Sequence, residues 1–206
     1  MSEADNQRID RAIKRKFMRR MFFVGGTIAG IAVLIWFGML LSKKLVTTPP
    51  TETKVYEAVG QEHIALNDKL PREYNSNPPS SGAHYASPAN WAIYDYEVND
   101  RIFIHNLEHG GIWIAYKPSV SIDVVAELKE IVNTFGGSKL VMAPRSANET
   151  DVAVVSWGHV YTFNVSGDHL SDQQKTDVKN FYIALKNHAP EDVPDFMAGV
   201  DPKEVK

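Results

Sequence analysis

The stretch RIFIHNLEHGGIWIAYK, residues 101–117, decides how this chain is read. Both ends are rich in isoleucine and aromatics, the composition of strands that pack on a half-buried surface. Residues 101–105 and 111–117 are therefore expected to be strands. HNLEHGG joins them as a hairpin or a strand–turn–strand. The spacing H-x-x-x-H would align His105 and His109 on one face of a helix. The flanks read as strands, however, and Gly110-Gly111 speaks against a helix running past His109. On this reading the two rings meet across a loop.

Downstream, residues 121–135 predict a helix. Val124, Val125, Leu128, Ile131 and Val132 recur at three-to-four spacing, Ser121 or Asp123 can cap the start, and Gly136-Gly137 ends it. Residues 140–142 predict a short strand, and 152–157 and 160–165 two more around a Gly158-His159 turn. Residues 171–186 predict a last helix, with Ser171 as cap and Val178, Phe181, Tyr182 and Leu185 as its stripe. The tail from His188 is broken by prolines. Together these elements predict an α+β domain, a small mostly antiparallel sheet with two helices on one face. Trp91, Tyr94, Tyr96, Trp113, Tyr116 and Trp157 read as its core.

Upstream, residues 70–88 (LPREYNSNPPSSGAHYASP) form a long Pro/Ser/Asn/Gly-rich loop, a length that tends to be functional. Residues 42–54 read as a polar linker with a proline pair. Residues 21–41 (MFFVGGTIAGIAVLIWFGMLL) hold neither charge nor proline and match a bilayer core in length. The apolar run is long for a signal peptide and LLSKKLV offers no small-x-small cleavage site, so an uncleaved signal-anchor is expected. Residues 1–20 carry seven basic side chains against three acidic ones. The positive-inside rule then puts that tail in the cytoplasm of a single-pass protein of the inner or plasma membrane. The globular domain, residues 55–206, falls on the periplasmic or extracellular side. With a net charge of −3 for the whole chain, the remainder is at −7, which argues against a nucleic-acid partner. There is no cysteine, so disulfides, thiolate metal sites and a cysteine nucleophile are excluded.

Of seven histidines, His63, His84, His105 and His109 crowd the first part of the domain on loop-like segments. Gathered imidazoles are the usual ligands of zinc or copper, so these four are the candidate metal ligands. A histidine in a glycine-rich turn often does no more than hydrogen-bond a carbonyl or a carboxylate such as Glu108. Glu108 itself is open to three roles: general base on a metal-bound water, partner that orients a histidine, or turn residue. Met142 near imidazoles would favour copper(I), although core packing is the plainer role for it. His159, His169 and His188 read as structural or surface residues. Ser80, Ser81 and Ser87 lack a nucleophile-elbow pattern.

PPSSGAH (residues 78–84), HNLEHGG (105–111), the SWG at 156–158 and Gln61-Glu62-His63 resemble the bacterial domain of unknown function numbered 3105. The likeness spans most of residues 55–195. The resemblance implies an N-terminal anchor helix and no established activity. It also implies cysteines that this chain lacks, so any disulfide role in the family is absent here. Three functions stay open: an anchored metal-binding domain, a metal-dependent hydrolase using Glu108, and a non-catalytic module that binds an envelope protein.

Overall fold

A computed structural model describes residues 3–41, 47–191 and 193–205, so residues 42–46 of the expected linker lie outside it. The chain divides into two compact units, Met1–Val46 and Thr47–Lys206.

The first unit contains helix α1 (Glu3–Leu41). Its segment Lys14–Trp36 is long and apolar enough to cross a membrane, with a mean hydropathy of 1.5. Phe22, Phe23, Leu34 and Trp36 are exposed on it.

The second unit is built on strands β1 (Lys54–Val55), β2 (His63–Ile64), β3 (His84–Tyr85), β4 (Ile112–Tyr116), β5 (Leu140–Pro144), β6 (Val152–Ser156) and β7 (His159–Phe163). Helices α2 (Asp100–Glu108), α3 (Ile122–Thr134) and α4 (Asp172–Leu185) interleave with them, and a 3-10 turn, Pro202–Glu204, ends the chain. The main sheet runs β1-β7-β6-β4-β5. The fold is α+β as expected, but the sheet is mixed rather than mostly antiparallel. The physical reason is α3: a helical crossover returns the chain parallel, and β4 pairs with β5 in register Ile112↔Leu140 to Tyr116↔Pro144. The β6–β7 hairpin forms with Gly158 at φ 71 in its turn.

Two helices were expected in the domain, and three α-helices lie among its described residues. Residues 101–105, expected as a strand, belong to α2. Strand-type side chains are tolerated there because Ile102, Phe103, Ile104 and Leu107 are all buried, and packing overrides a propensity of a few tenths of a kcal/mol. Gly110-Gly111 is thus not a hairpin turn but a helix stop. Gly110, at φ 78, and Gly111 donate to the carbonyls of Leu107 and Asn106 at 2.9 Å each, a Schellman ending.

The sheet separates two hydrophobic clusters. Ile112, Ile114 and Tyr116 alternate with Trp113 and Ala115 along β4, so each set faces one side. The first set packs under α3 and α4, together with Met142. The second packs with Ile102, Phe103, Ile104 and Leu107 of α2. The helices therefore cover both faces rather than one. Each fully buried side chain of this kind contributes about 1.5–3 kcal/mol. The edge of β5 is covered by Ala92 and Tyr94, which exchange backbone hydrogen bonds with Met142.

Candidate functional site

The site is assembled at the end of α2. Asn99 caps its start by accepting from the Arg101 N–H. Asp100, in the first turn, takes a two-pronged ion pair from Arg145 at 2.8 and 2.9 Å. The Asn106 side chain pairs with both backbone groups of Ala89, at 2.8 and 2.9 Å, and so fixes the rotation of the helix. No residue other than glycine fits after His109: a Cβ on Gly111 would lie 2.6 Å from both the Asn106 carbonyl and the Trp91 ring.

Opposite this helix end stand β2 and β3, a parallel pair in which His63 and His84 are register partners. The PPSSGAH loop delivers His84, and the SWG turn supports that loop, Gly158 N–H donating to the Ser80 carbonyl at 3.0 Å. Gly82, at φ 119, leaves its Cβ space to the Tyr74 ring, whose hydroxyl donates to the Ala83 carbonyl at 2.7 Å. Tyr85, the residue after His84, offers its carbonyl to His105.

His63, His84, His105 and Glu108 thereby form a group whose ligand-type atoms all lie within 4.8 Å of one another. The three ring centroids make a triangle with sides of 4.9 Å. Two of the rings have an assigned orientation. His84 Nδ1 donates to the Gly82 carbonyl at 2.8 Å and His105 Nδ1 to the Tyr85 carbonyl at 2.7 Å. A carbonyl can only accept, so each Nδ1 carries a proton and each Nε2 is turned towards the group. His84 Nε2 meets Glu108 Oε2 at 3.0 Å, and His63 Nε2 stands 3.8 Å from the same oxygen. Trp157 forms an apolar wall, its ring 6.4 Å from that of His84.

The electrostatics favour a cation. Glu108 is 3% exposed and ends a helix, where the dipole presents its negative pole. Burial pushes its carboxyl up, yet the His84 hydrogen bond and the charges of His84, His105 and His63 outweigh it and hold the group below its ordinary range. Burial also pushes His105 down to about 4, so its Nε2 offers a lone pair at neutral pH. His109 caps α2 beside this group, its Nε2 3.1 Å from His105 Nε2 and 3.1 Å from Glu191 Oε2. Burial lowers its pKa against the pull of Glu191 and Glu108.

Sequence reasoning singled out every histidine here but missed Glu191, which lies in the proline-broken tail. The one signal for it is an acid next to Pro190 in a segment that returns to the helix end. Met142 lies under α3 and α4, across the sheet from α2. His159 donates to the Trp157 carbonyl at 2.8 Å, and His169 pairs with Glu127 at the surface. A cleft of about 370 Å³ lined by Lys54, Tyr56, Tyr74, Asn77, Glu149 and Thr162 includes none of the histidines.

Comparison with curated proteins and with solved structures finds no match. A family model described as "Protein of unknown function (DUF3105)" matches residues 65–195, which hold His84, His105, Glu108, His109 and Glu191 and begin two residues after His63. On that match, and with the resemblance already visible in its motifs, the chain belongs to the DUF3105 family.

Proposed function

We propose that this chain is a single-pass membrane protein whose extracytoplasmic domain binds one transition-metal ion, zinc or copper, through His63, His84, His105 and Glu108. One arrangement carries the proposal: three imidazoles in a 4.9 Å triangle, two locked by their Nδ1 hydrogen bonds, around a buried carboxylate. Metal-ligating histidines characteristically donate their second nitrogen to a carbonyl in this way. An ion bonded at about 2.1 Å to each donor draws them to about 3.4 Å apart, which small side-chain rotations supply. Nitrogen and oxygen donors without thiolate suit zinc or copper(II). His109, one of the four histidines expected as ligands, stands beside this set in contact with His105.

The anchor is residues 21–41, with the basic residues 1–20 on the cytoplasmic side and the residues from 42 up to β1 as the link to the domain. Storage, sensing, transport or delivery of the ion to an envelope protein all suit such a tether. Elemental analysis of the detergent-purified chain tests the reading. About one equivalent of zinc or copper per chain is expected, lost in a His84→Ala/His105→Ala double variant that keeps its circular dichroism. No metal after reconstitution of the folded chain would overturn it.

A second reading draws on His63, whose side chain is 48% exposed and leaves one side of the group open to solvent. A metal-dependent hydrolase would use that side, with Glu108 acting on a metal-bound water. A Glu108→Gln variant that retains metal and loses hydrolysis of a chromogenic ester would support it, and unchanged turnover would exclude it.

A further inference from the structure

The inner group opens to solvent at His63 and is closed around its other three donors. His84, His105 and Glu108 are buried, and an ion has to reach them from the surface. Distances lay out a route. His105 Nε2, an inner donor, is 3.1 Å from His109 Nε2, and that nitrogen is 3.1 Å from Glu191 Oε2. Exposure rises along the same line, from 4% at His105 to 12% at the His109 side chain and 49% at that of Glu191.

The route is also held in place. Helical spacing sets His109 one turn after His105, with ring centroids 4.5 Å apart. The Glu191 N–H donates to the Glu108 carbonyl at 3.1 Å, and the Asn187 N–H to the Gly110 carbonyl at 2.9 Å. The C-terminal tail is thereby tied to the helix end on both sides of His109. Lys139, whose charge reaches His109, is itself engaged by Asn187 at 2.7 Å and lies 4.0 Å from Asp195.

We propose that His109 and Glu191 form an outer receiving pair for a divalent transition metal and pass the ion to the inner group through His105. This rests on the metal-binding reading above. The ion exchanges waters for Glu191 Oε2 and His109 Nε2. The proton on His109 Nε2 leaves to bulk water or moves to Nδ1. His105 then replaces Glu191 on the ion, and His84, His63 and Glu108 replace His109, the Nε2 proton that His84 shares with Glu108 leaving to bulk water. No electron changes hands. One imidazole and one carboxylate make a weak site, which suits a station that must hold an ion and release it.

The test is stopped-flow loading of the metal-free, detergent-solubilised full chain with cobalt(II) chloride, followed by its ligand-field absorption. The wild type and a Glu191→Gln variant are compared, with His109→Gln as a second variant. The exposed Glu191 position guards against loss of fold. Loading, and release to EDTA, are both expected to slow by about tenfold in Glu191→Gln, with final cobalt stoichiometry unchanged. Unchanged rates at full stoichiometry would route the ion past His63 and overturn the relay while leaving the inner site intact. Reduced stoichiometry would make Glu191 a resident ligand and overturn the relay likewise. No cobalt bound by the wild type would overturn the metal-binding reading itself.

Discussion

His105 is caught between two environments. Its Nδ1 is fixed to the Tyr85 carbonyl, and its ring is buried among other imidazoles. Burial takes its pKa from 6.5 to about 4, so between those values the unfolded chain binds a proton that the folded chain refuses. Stability therefore falls as pH drops from about 6.5 towards 4, with Glu108, held below its ordinary range, adding to the loss at the lower end. Urea unfolding of the metal-free chain at pH 7 and pH 5 is expected to show that loss, and His105→Gln to reduce it. Equal pH dependence in both proteins would rule the account out. At this scale much of the site was legible in the sequence. Histidine is an uncommon residue, and four in one region stand out without any knowledge of the fold. Glu191 does not stand out, because an acid in a tail looks like any solvated charge until the tail is seen to return to His109.

Helix α2 carries two of the four inner donors, and both of its ends are pinned. At the start, Arg145 binds Asp100, Asn77 and Asn148 and stacks over Trp113. Arg145→Ala removes the donor to the Asp100 carboxylate and to the Asn77 and Asn148 side-chain oxygens and is expected to cost about 3 kcal/mol in denaturant unfolding. A loss under 1 kcal/mol would show water replacing it. At the other end, Gly111→Ala drives a methyl into the Asn106 carbonyl and Trp91. About 2 kcal/mol of destabilisation and weaker metal retention are expected together, since the same shift displaces Glu108. Stability lost with metal affinity intact would separate the helix stop from the site. This element was also the one misread. Phe103, Ile104 and Leu107 do recur at three-to-four spacing, but nine residues give the pattern only about two turns to show, and Ile-Phe-Ile within it reads as a strand. α3 and α4 each keep a polar face and a serine cap, and both were found within a residue of their ends.

The whole molecule joins an apolar N-terminal helix to a cysteine-free domain. A single introduced thiol therefore reports sidedness without background. Ser119→Cys, at an exposed position, is expected to react with a membrane-impermeant maleimide in intact cells. Labelling only after permeabilisation would place the domain in the cytoplasm. The mixed sheet was not legible because strand order depends on contacts between distant segments, which composition does not encode. The strand pair that carries His63 and His84 adds a last consequence. Two residues per strand are too few to hold themselves together. Local opening of this ladder is expected to be frequent, and its amides should trade hydrogen for deuterium early. An ion shared by His63, His84 and the end of α2 would act there as a rivet. Exchange at the Gly82 and His84 amides, which donate to the Gly60 and Glu62 carbonyls, should slow when zinc is added and return to its former pace under a chelator. A two-residue ladder would then be the part of the domain whose order reports the supply of metal.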